Sequence, residues 1–453
     1  MSRHIDRRDF LRWTGLASAA GLGLFSGRTL FAAAQPHVVV IGGGTGGATA
    51  AKYLKLADPG IRVTVVERNR TYLRCYGSNE VLNDDITMAD LEIGYDTLKD
   101  RYGIEFVFGE VDNVDVEQRR VHVKDGGTLD YDRLIVSPGI DFKYGEIENF
   151  TPEVAETSMP HAWKAGPQTT LLRRQLHAMP EDGTFLIVPP ANPYRCPPAP
   201  YERASLMAEW FAKHKPNAKI LIMDVKDGFT KDQPFMLAWS RLYGFRIPDS
   251  HMDGMPSDVP RPEQEGRIEW VSGSNGGKIV SVDPKRGTAT NFFGDEIRAD
   301  VTTVIPNQQA GKLAFRMGLT NEAGWCDNDR YTHESTAAPN VHVIGDSIVA
   351  DDMPKSGFAA NTQAKVAAAQ IAHLLRGEEP EEPAWANTCF SRAGSEYGVS
   401  IAAVYRYDHD TGRIRSTPGS GGVSPLDANA MTNRLEGLYQ ESWMRAFVKD
   451  CFY

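Results

Sequence analysis

Cysteine is scarce in this chain: five in 453 residues (Cys75, Cys196, Cys326, Cys389 and Cys451), no two of them close enough for a C-x-x-C pair. That spacing excludes a zinc knuckle and a C-x-x-C-H haem attachment, so no metal ligands are expected and any haem must sit on another chain. Positive charge is also short, with 49 Lys and Arg against 59 Asp and Glu. Residues 1–34 hold five Arg and two Asp; without that +3 segment a chain of −10 becomes one of −13. Such acidity argues against nucleic acid or an anionic membrane surface as a partner and permits steering toward a basic protein patch. Beyond residue 34 no apolar run reaches the ~18 residues that a spanning helix needs, so no transmembrane anchor is expected. The hydrophobic content (41%) is ordinary for a soluble globular protein, and the length suits two or three domains.

The first 34 residues read as an export leader. Asp6-Arg7-Arg8-Asp9-Phe10-Leu11-Arg12 is a twin-arginine signature, Thr14 to Phe25 is weakly apolar, and Ala32-Ala33-Ala34 offers a small-residue cleavage site. This predicts periplasmic delivery, folded, by the twin-arginine route. An exported protein can keep disulfides, and the odd cysteine count leaves at least one for other work.

Next comes a complete βαβ unit. His37-Val-Val-Val-Ile41 is an apolar strand of the kind buried on both faces of a parallel sheet. It runs straight into G-x-G-x-x-G at Gly42, Gly44 and Gly47, then a helix with a small-residue face that Asp58-Pro59-Gly60 ends. A second strand, Arg62 to Glu67, closes in an acid. The glycines let the backbone approach a pyrophosphate, the helix N-terminus supplies N–H groups, and Glu67 can accept from ribose hydroxyls. A late strand ending in Gly345-Asp346 places an acid where it can meet a ribityl hydroxyl; with the early fingerprint it points to FAD. A helix from about Ala359 would aim its positive end at the flavin.

Residues 156–299 read as a second α/β segment, with strands at Thr184–Val188 and Lys219–Met223. Between the first of these and a helix beginning near Arg203, a nicotinamide-binding fold would carry a second glycine loop. Here the loop is Pro189-Pro-Ala-Asn-Pro-Tyr-Arg-Cys-Pro-Pro-Ala-Pro200. Its glycines are missing, which predicts a flavoprotein reduced by something other than NAD(P)H. The chain is thus α/β: an FAD domain over 35–155 and 300–376, a dinucleotide-like domain over 156–299 without its glycine loop, and a smaller C-terminal domain over 377–453. Asn433 to Val448 in the last of these is amphipathic, with an apolar side suited to core, a subunit contact or a membrane.

Several strings carry a closer likeness: Gly42 to Tyr53, Cys75-Tyr-Gly-Ser-Asn-Glu-Val81, Pro160-His-Ala-Trp-Lys-Ala-Gly166, Arg195-Cys-Pro-Pro-Ala-Pro-Tyr-Glu-Arg-Ala204, Ala323-Gly-Trp-Cys326, Met353-Pro-Lys-Ser-Gly357 and Asn387-Thr-Cys389. In these the chain resembles the flavoprotein subunit of flavocytochrome c sulfide dehydrogenase, within the wider glutathione-reductase-like group of two-dinucleotide-domain flavoproteins. The resemblance implies sulfide oxidation to zero-valent sulfur or polysulfide, a c-type cytochrome subunit as electron acceptor and FAD held covalently by Cys75. It also implies a redox-active Cys196–Cys389 disulfide over the flavin, with Glu202 as acid/base beside it. From the residues alone, other readings stand. Cys75 is equally a structural thiol, the four remaining cysteines allow three full pairings, and Glu202 suits the first turn of any helix. Lys355 can stabilise negative charge on the flavin or lie solvated in its loop. A quinone-reducing relative and a non-catalytic flavin-binding partner are the competing functions; Cys326 and Cys451 fit no role.

Overall fold

The computed structural model describes residues 35–264 and 266–453; the expected leader lies outside them. In chain order the main elements are β1 (His37–Ile41), α1 (Thr45–Ala57), β2 (Arg62–Glu67), β3 (Glu105–Phe108), β4 (Arg133–Val136), β5 (Thr184–Val188), α2 (Ala199–His214), β6 (Lys219–Met223) and α3 (Asp232–Tyr243). There follow β7 (Ile268–Val271), β8 (Val301–Val304), β9 (Val341–Val343), α4 (Gly357–Arg376), β10 (Ala384–Gly394), β11 (Tyr397–Asp408) and α5 (Ala430–Phe452).

Two parallel sheets organise the chain. The first has the order β9-β4-β1-β2-β3, the second β7-β6-β5-β8. Their central strands are Val- and Ile-rich and buried on both faces, one under helices and the other under a three-stranded antiparallel sheet: Val39 and Ile41 pack with Val111, Val121 and Val123, and Leu186 and Val188 with Ile279, Val282 and Ala289. The expected boundary at 299/300 moves a few residues on: Val301–Val304 pairs with Thr184–Val188 and completes the second sheet. In sequence this strand looks no different from a return to the first sheet.

Residues 377–453 form a long antiparallel hairpin, β10–β11, followed by α5. The end of α5 is built into the first α/β layer. Phe447, Cys451 and Phe452 are buried in the same core as Val38, Val40, Ala48 and Ile371. Lys52 on α1 donates from Nζ to the carbonyls of Asp450 (2.8 Å) and Tyr453 (2.7 Å), satisfying the terminal C=O groups of α5. The predicted helix is therefore present and longer than expected, but it does not separate cleanly into apolar and polar sides, since Asn433 and Gln440 are buried. Its far side leaves Met431, Leu438 and Tyr439 more than half exposed.

One buried cation ties the layers together. Arg203, on α2, is 1% exposed. It donates from Nε to Asn79 Oδ1 (3.1 Å), from Nη1 to His161 O and Thr303 Oγ1 (both 2.9 Å), and from Nη2 to Ala162 O (3.0 Å). It has no carboxylate partner within 4 Å among the described residues, and burial lowers its pKa to about 9. Arg203→Leu would leave four buried acceptors without a donor; we expect a loss of about 3–5 kcal/mol, read from the denaturant midpoint at constant m-value.

Candidate active site

The glycine turn after β1 has the geometry that close approach demands. Gly42 has φ +99°, and a Cβ there would lie 2.4 Å from Ser137 O; a Cβ on Gly47 would lie 1.8 Å from Gly42 O. Only glycine fits at either place. Gly43 N–H donates to Glu67 Oε2 (2.7 Å), so the acid closing β2 also holds the turn. Gly44 precedes α1 with no side-chain cap, leaving that helix N-terminus open to a ligand.

The residues fit FAD on a second observation. Asp346, just past β9, has a buried Oδ1 without a hydrogen-bond partner. Burial raises its pKa, and the positive charges of Arg195 and Lys355 draw it back. A ribityl hydroxyl would supply the missing donor. Asp346 shares a narrow cleft with Gly345, Lys355, Ser356 and Ala359, the last three opening α4. Ser356 Oγ caps that helix by accepting from Ala359 N (3.0 Å), so α4 begins at Gly357, close to the expected start. Lys355 is buried and not a solvated loop lysine. Its ammonium donates to Asp346 O (3.0 Å) and to Ile348 O, and lies 3.6 Å from the Trp325 ring centroid. Burial lowers its pKa to about 7. Its donors pin the turn that carries Asp346.

The proline loop between β5 and α2 sets Cys196 in a left-handed conformation, φ +55°, unusual for a residue with a side chain. Its amide donates to Lys355 O (2.8 Å), its carbonyl accepts from Ala199 N (3.0 Å), and the Arg195 amide donates to Gln308 Oε1 (2.9 Å). The loop is thus fastened to the turn before α4 on one flank and to the segment after β8 on the other. The next helical turn presents Glu202, whose Oε1 accepts from Arg392 N (3.0 Å) and whose Oε2 lies 3.4 Å from Asn79 Nδ2. Arg392 follows Cys389 by three residues on β10.

These groups lie close enough for their charges to act on one another. Burial pushes the Cys196 thiol well up, and nearby negative charge on Cys389, Glu202 and Cys75 pushes it further, while Arg195 opposes. Burial likewise raises Cys389, with Lys231 pulling it down and Glu202 pushing it up. Glu202 is itself raised by burial. All five cysteines are unbonded thiols in the structure. Cys75, Cys196 and Cys389 are each half-buried. Cys326 and Cys451 are buried. No group of three or more His, Cys, Asp or Glu able to hold a metal occurs among the described residues, and no helix of theirs is long and apolar enough to cross a membrane.

Three residues here have weak sequence signals. Arg195 adjoins Cys196 and acts electrostatically on Cys75, Cys196 and Asp346; Asn79 lies inside the Cys75–Val81 string. Asp224 is the third. It follows β6 as Glu67 ends β2, the place of a ribose-binding acid. It is fully buried: Oδ2 accepts from Tyr201 OH (2.5 Å) and Trp270 Nε1 (3.2 Å), and Oδ1 from Lys226 Nζ (2.6 Å). The Tyr201 ring stacks on Phe229 at 3.6 Å. The second dinucleotide fold has lost its glycines, and its acid is consumed by aromatic packing.

This architecture defines an FAD-dependent oxidoreductase with two dinucleotide-binding folds. The model for "Pyridine nucleotide-disulphide oxidoreductase" matches residues 36–162, that for "Sulfide dehydrogenase [flavocytochrome c] flavoprotein chain, central" matches 169–306, and that for "Flavocytochrome c sulphide dehydrogenase, flavin-binding" matches 381–452. The sulfide dehydrogenase flavoprotein chain of Chlorobaculum thiosulfatiphilum is 54% identical over 45 residues, 10% of this chain and 94% of that sequence. The chain belongs to the flavocytochrome c sulfide dehydrogenase flavoprotein family. Among solved structures it is similar to the sulfide:quinone oxidoreductase of Aquifex aeolicus (TM-score 0.65, 16% identity, 92% of both chains). It is also similar to an NAD-dependent persulfide reductase of A. fulgidus (TM-score 0.56, 16% identity, 90% of this chain and 76% of that one). At these identities the likeness is one of fold.

Two outcomes test the site. Gly47→Ala should abolish flavin binding, seen as loss of visible absorbance in the purified protein, because its Cβ displaces the turn. Glu202→Gln tests the carboxyl's burial through pH. A carboxyl whose folded pKa is raised contributes stability below its unfolded value near 4.5 and loses it as pH rises through the folded pKa. The stability of Glu202→Gln relative to the unmutated protein should therefore rise with pH above about 4.5; a flat difference in unfolding free energy would contradict the assignment.

Proposed function

We propose that this chain is an exported sulfide dehydrogenase subunit, in which a Cys196–Cys389 disulfide and a flavin tethered through Cys75 form one redox centre feeding a c-type cytochrome. One observation carries the reading. Negative charge on Cys389, Glu202 and Cys75 acts on Cys196, and Arg195 beside it acts on both Cys75 and Asp346, while the acid of the second dinucleotide fold is buried under Tyr201 and Trp270. Electrons therefore enter from the sulfur side.

Hydrosulfide is a good nucleophile and attacks one sulfur of the disulfide; the S–S bond breaks, one cysteine becomes a persulfide and the other a thiolate. Glu202, held by Arg392 N–H and Asn79, is placed to take or return the proton of the incoming sulfur, and burial raises its pKa toward the range where that transfer works. Arg195 offsets negative charge at Cys196. When bound, FAD supplies a two-electron acceptor that can release electrons singly. Gly42, Gly44, Gly47, Glu67, Gly345 and Asp346 would hold it, with Lys355 fixing the Asp346 turn. A thioether to Cys75 would prevent cofactor loss in the compartment to which the twin-arginine leader directs the protein. The likeness to a sulfide:quinone oxidoreductase and the exposed Met431, Leu438 and Tyr439 of α5 favour quinone as the second candidate acceptor.

Acid precipitation should leave yellow colour on the polypeptide and release it from Cys75→Ser. Anaerobic sulfide should bleach the flavin, with reoxidation by a c-type cytochrome and not by a soluble quinone analogue. Cys389→Ser should retain FAD and bleach at least about 100-fold more slowly. A flavin that stays bound and unbleached by sulfide would mark a non-catalytic protein.

A further inference from the structure

Lys231 is a buried lysine that neither the resemblance nor the mechanism above uses. It is 4% exposed and stands immediately before α3 with φ +65°, a left-handed conformation that a side-chain-bearing residue adopts at a cost. Its ammonium donates to Ser391 Oγ (2.8 Å) and lies 3.3 Å from Val399 O, both on the β10–β11 hairpin. No carboxylate lies within 4 Å of it among the described residues. Ser391 and Cys389 are two apart on β10 and so project from the same face. Its charge acts on the buried carboxyl of Glu202 beyond ion-pair distance; a cation taken out of water with no carboxylate bonded to it is costly unless further negative charge develops nearby.

We propose that Lys231 is a positioning residue of the sulfur site: held by Ser391 and Val399, it is the countercharge for a thiolate on Cys389, and it makes Cys389 the sulfur that leaves when the disulfide opens. This rests on the disulfide reading above. In the step, HS⁻ bonds to Cys196 sulfur, the Cys196–Cys389 bond breaks, its electron pair goes to Cys389 sulfur, and the proton stays on the terminal sulfur of the Cys196 persulfide. A thiolate leaves best where its charge is stabilised. The groups around the two sulfurs are unequal in that respect. Cys389 faces Lys231 from the start of α3, Glu202 from α2, Cys196 from the proline loop and Ser391 on its own strand. The guanidinium of Arg392 is turned to Asp85 (2.6 Å). Cys196 faces Cys389, Glu202 and Cys75, with Arg195 as its nearby cation. The cation that acts on Cys389 is thus anchored on the same hairpin as that sulfur.

The test is iodoacetamide labelling of the reduced, flavin-loaded protein across pH, with each cysteine followed by mass spectrometry. Cys389 should be alkylated at lower pH than Cys196. Lys231→Met should raise the Cys389 midpoint by about one pH unit or more, and Lys231→Arg, which keeps the charge, should leave it near that of the unmutated protein. Ser391→Ala, which removes the anchor, should raise it in the same direction and serves as the deciding variant if Lys231→Met does not fold. An unchanged Cys389 midpoint in a flavin-loaded Lys231→Met or Ser391→Ala protein overturns the proposal, as does a Cys196 that titrates first. Failure of the disulfide reading shows separately: Cys389→Ser would then bleach with sulfide as fast as the unmutated protein.

Discussion

The buried guanidinium of Arg203 is the contact on which the site's geometry depends. It joins the loop after Cys75 through Asn79, the 160–163 segment through two carbonyls, and the second sheet through Thr303. Asn79 in turn lies against Glu202, the residue next to Arg203 on α2. One cation thus sets the distance between the loop after Cys75, the acid and the sheet that carries the proline loop. An arginine suits the position because its planar fork reaches four acceptors at fixed angles, which lysine cannot do. Isolation from carboxylates keeps all of its donors for this bridging.

The second organising device is the proline loop. In a nicotinamide-binding fold, glycines at this point let a pyrophosphate come close; here prolines fix a rigid path that holds Cys196 at positive φ, with its amide on Lys355 O. The same exchange appears at the end of β6. Asp224 keeps the position of a ribose-binding acid but accepts from Tyr201, Trp270 and Lys226. The place of a ribose-binding acid is thus taken up by protein side chains, and Cys196 stands on the loop that has prolines where glycines would be.

Much of this is legible in the residues. The βαβ unit is local: strand, glycine turn, helix and closing acid lie within one short stretch, and the structure reproduces it nearly to the residue. The helix opening at Ser356 and the C-terminal helix follow from periodicity and caps. The assignment of Val301–Val304 to the second sheet is not legible, since a short apolar strand carries no label of its neighbours. Nor is the role of Lys355, whose ammonium is turned onto two carbonyls and an indole by contacts distant in sequence. Lys231 is invisible for the same reason: its partners Ser391 and Val399 lie some 160 residues away. Long-range juxtaposition is what a single sequence withholds, and the meeting of Cys196, Cys389 and Glu202 is of that kind.

Non-reducing peptide mapping of the native, oxidised protein tests the central claim most directly. The account predicts one bridged peptide joining Cys196 to Cys389, lost on reduction, with Cys326 and Cys451 as free thiols. A map in which Cys196 and Cys389 are both free, or in which either is paired with Cys326 or Cys451, would contradict a flavin–disulfide centre in this chain.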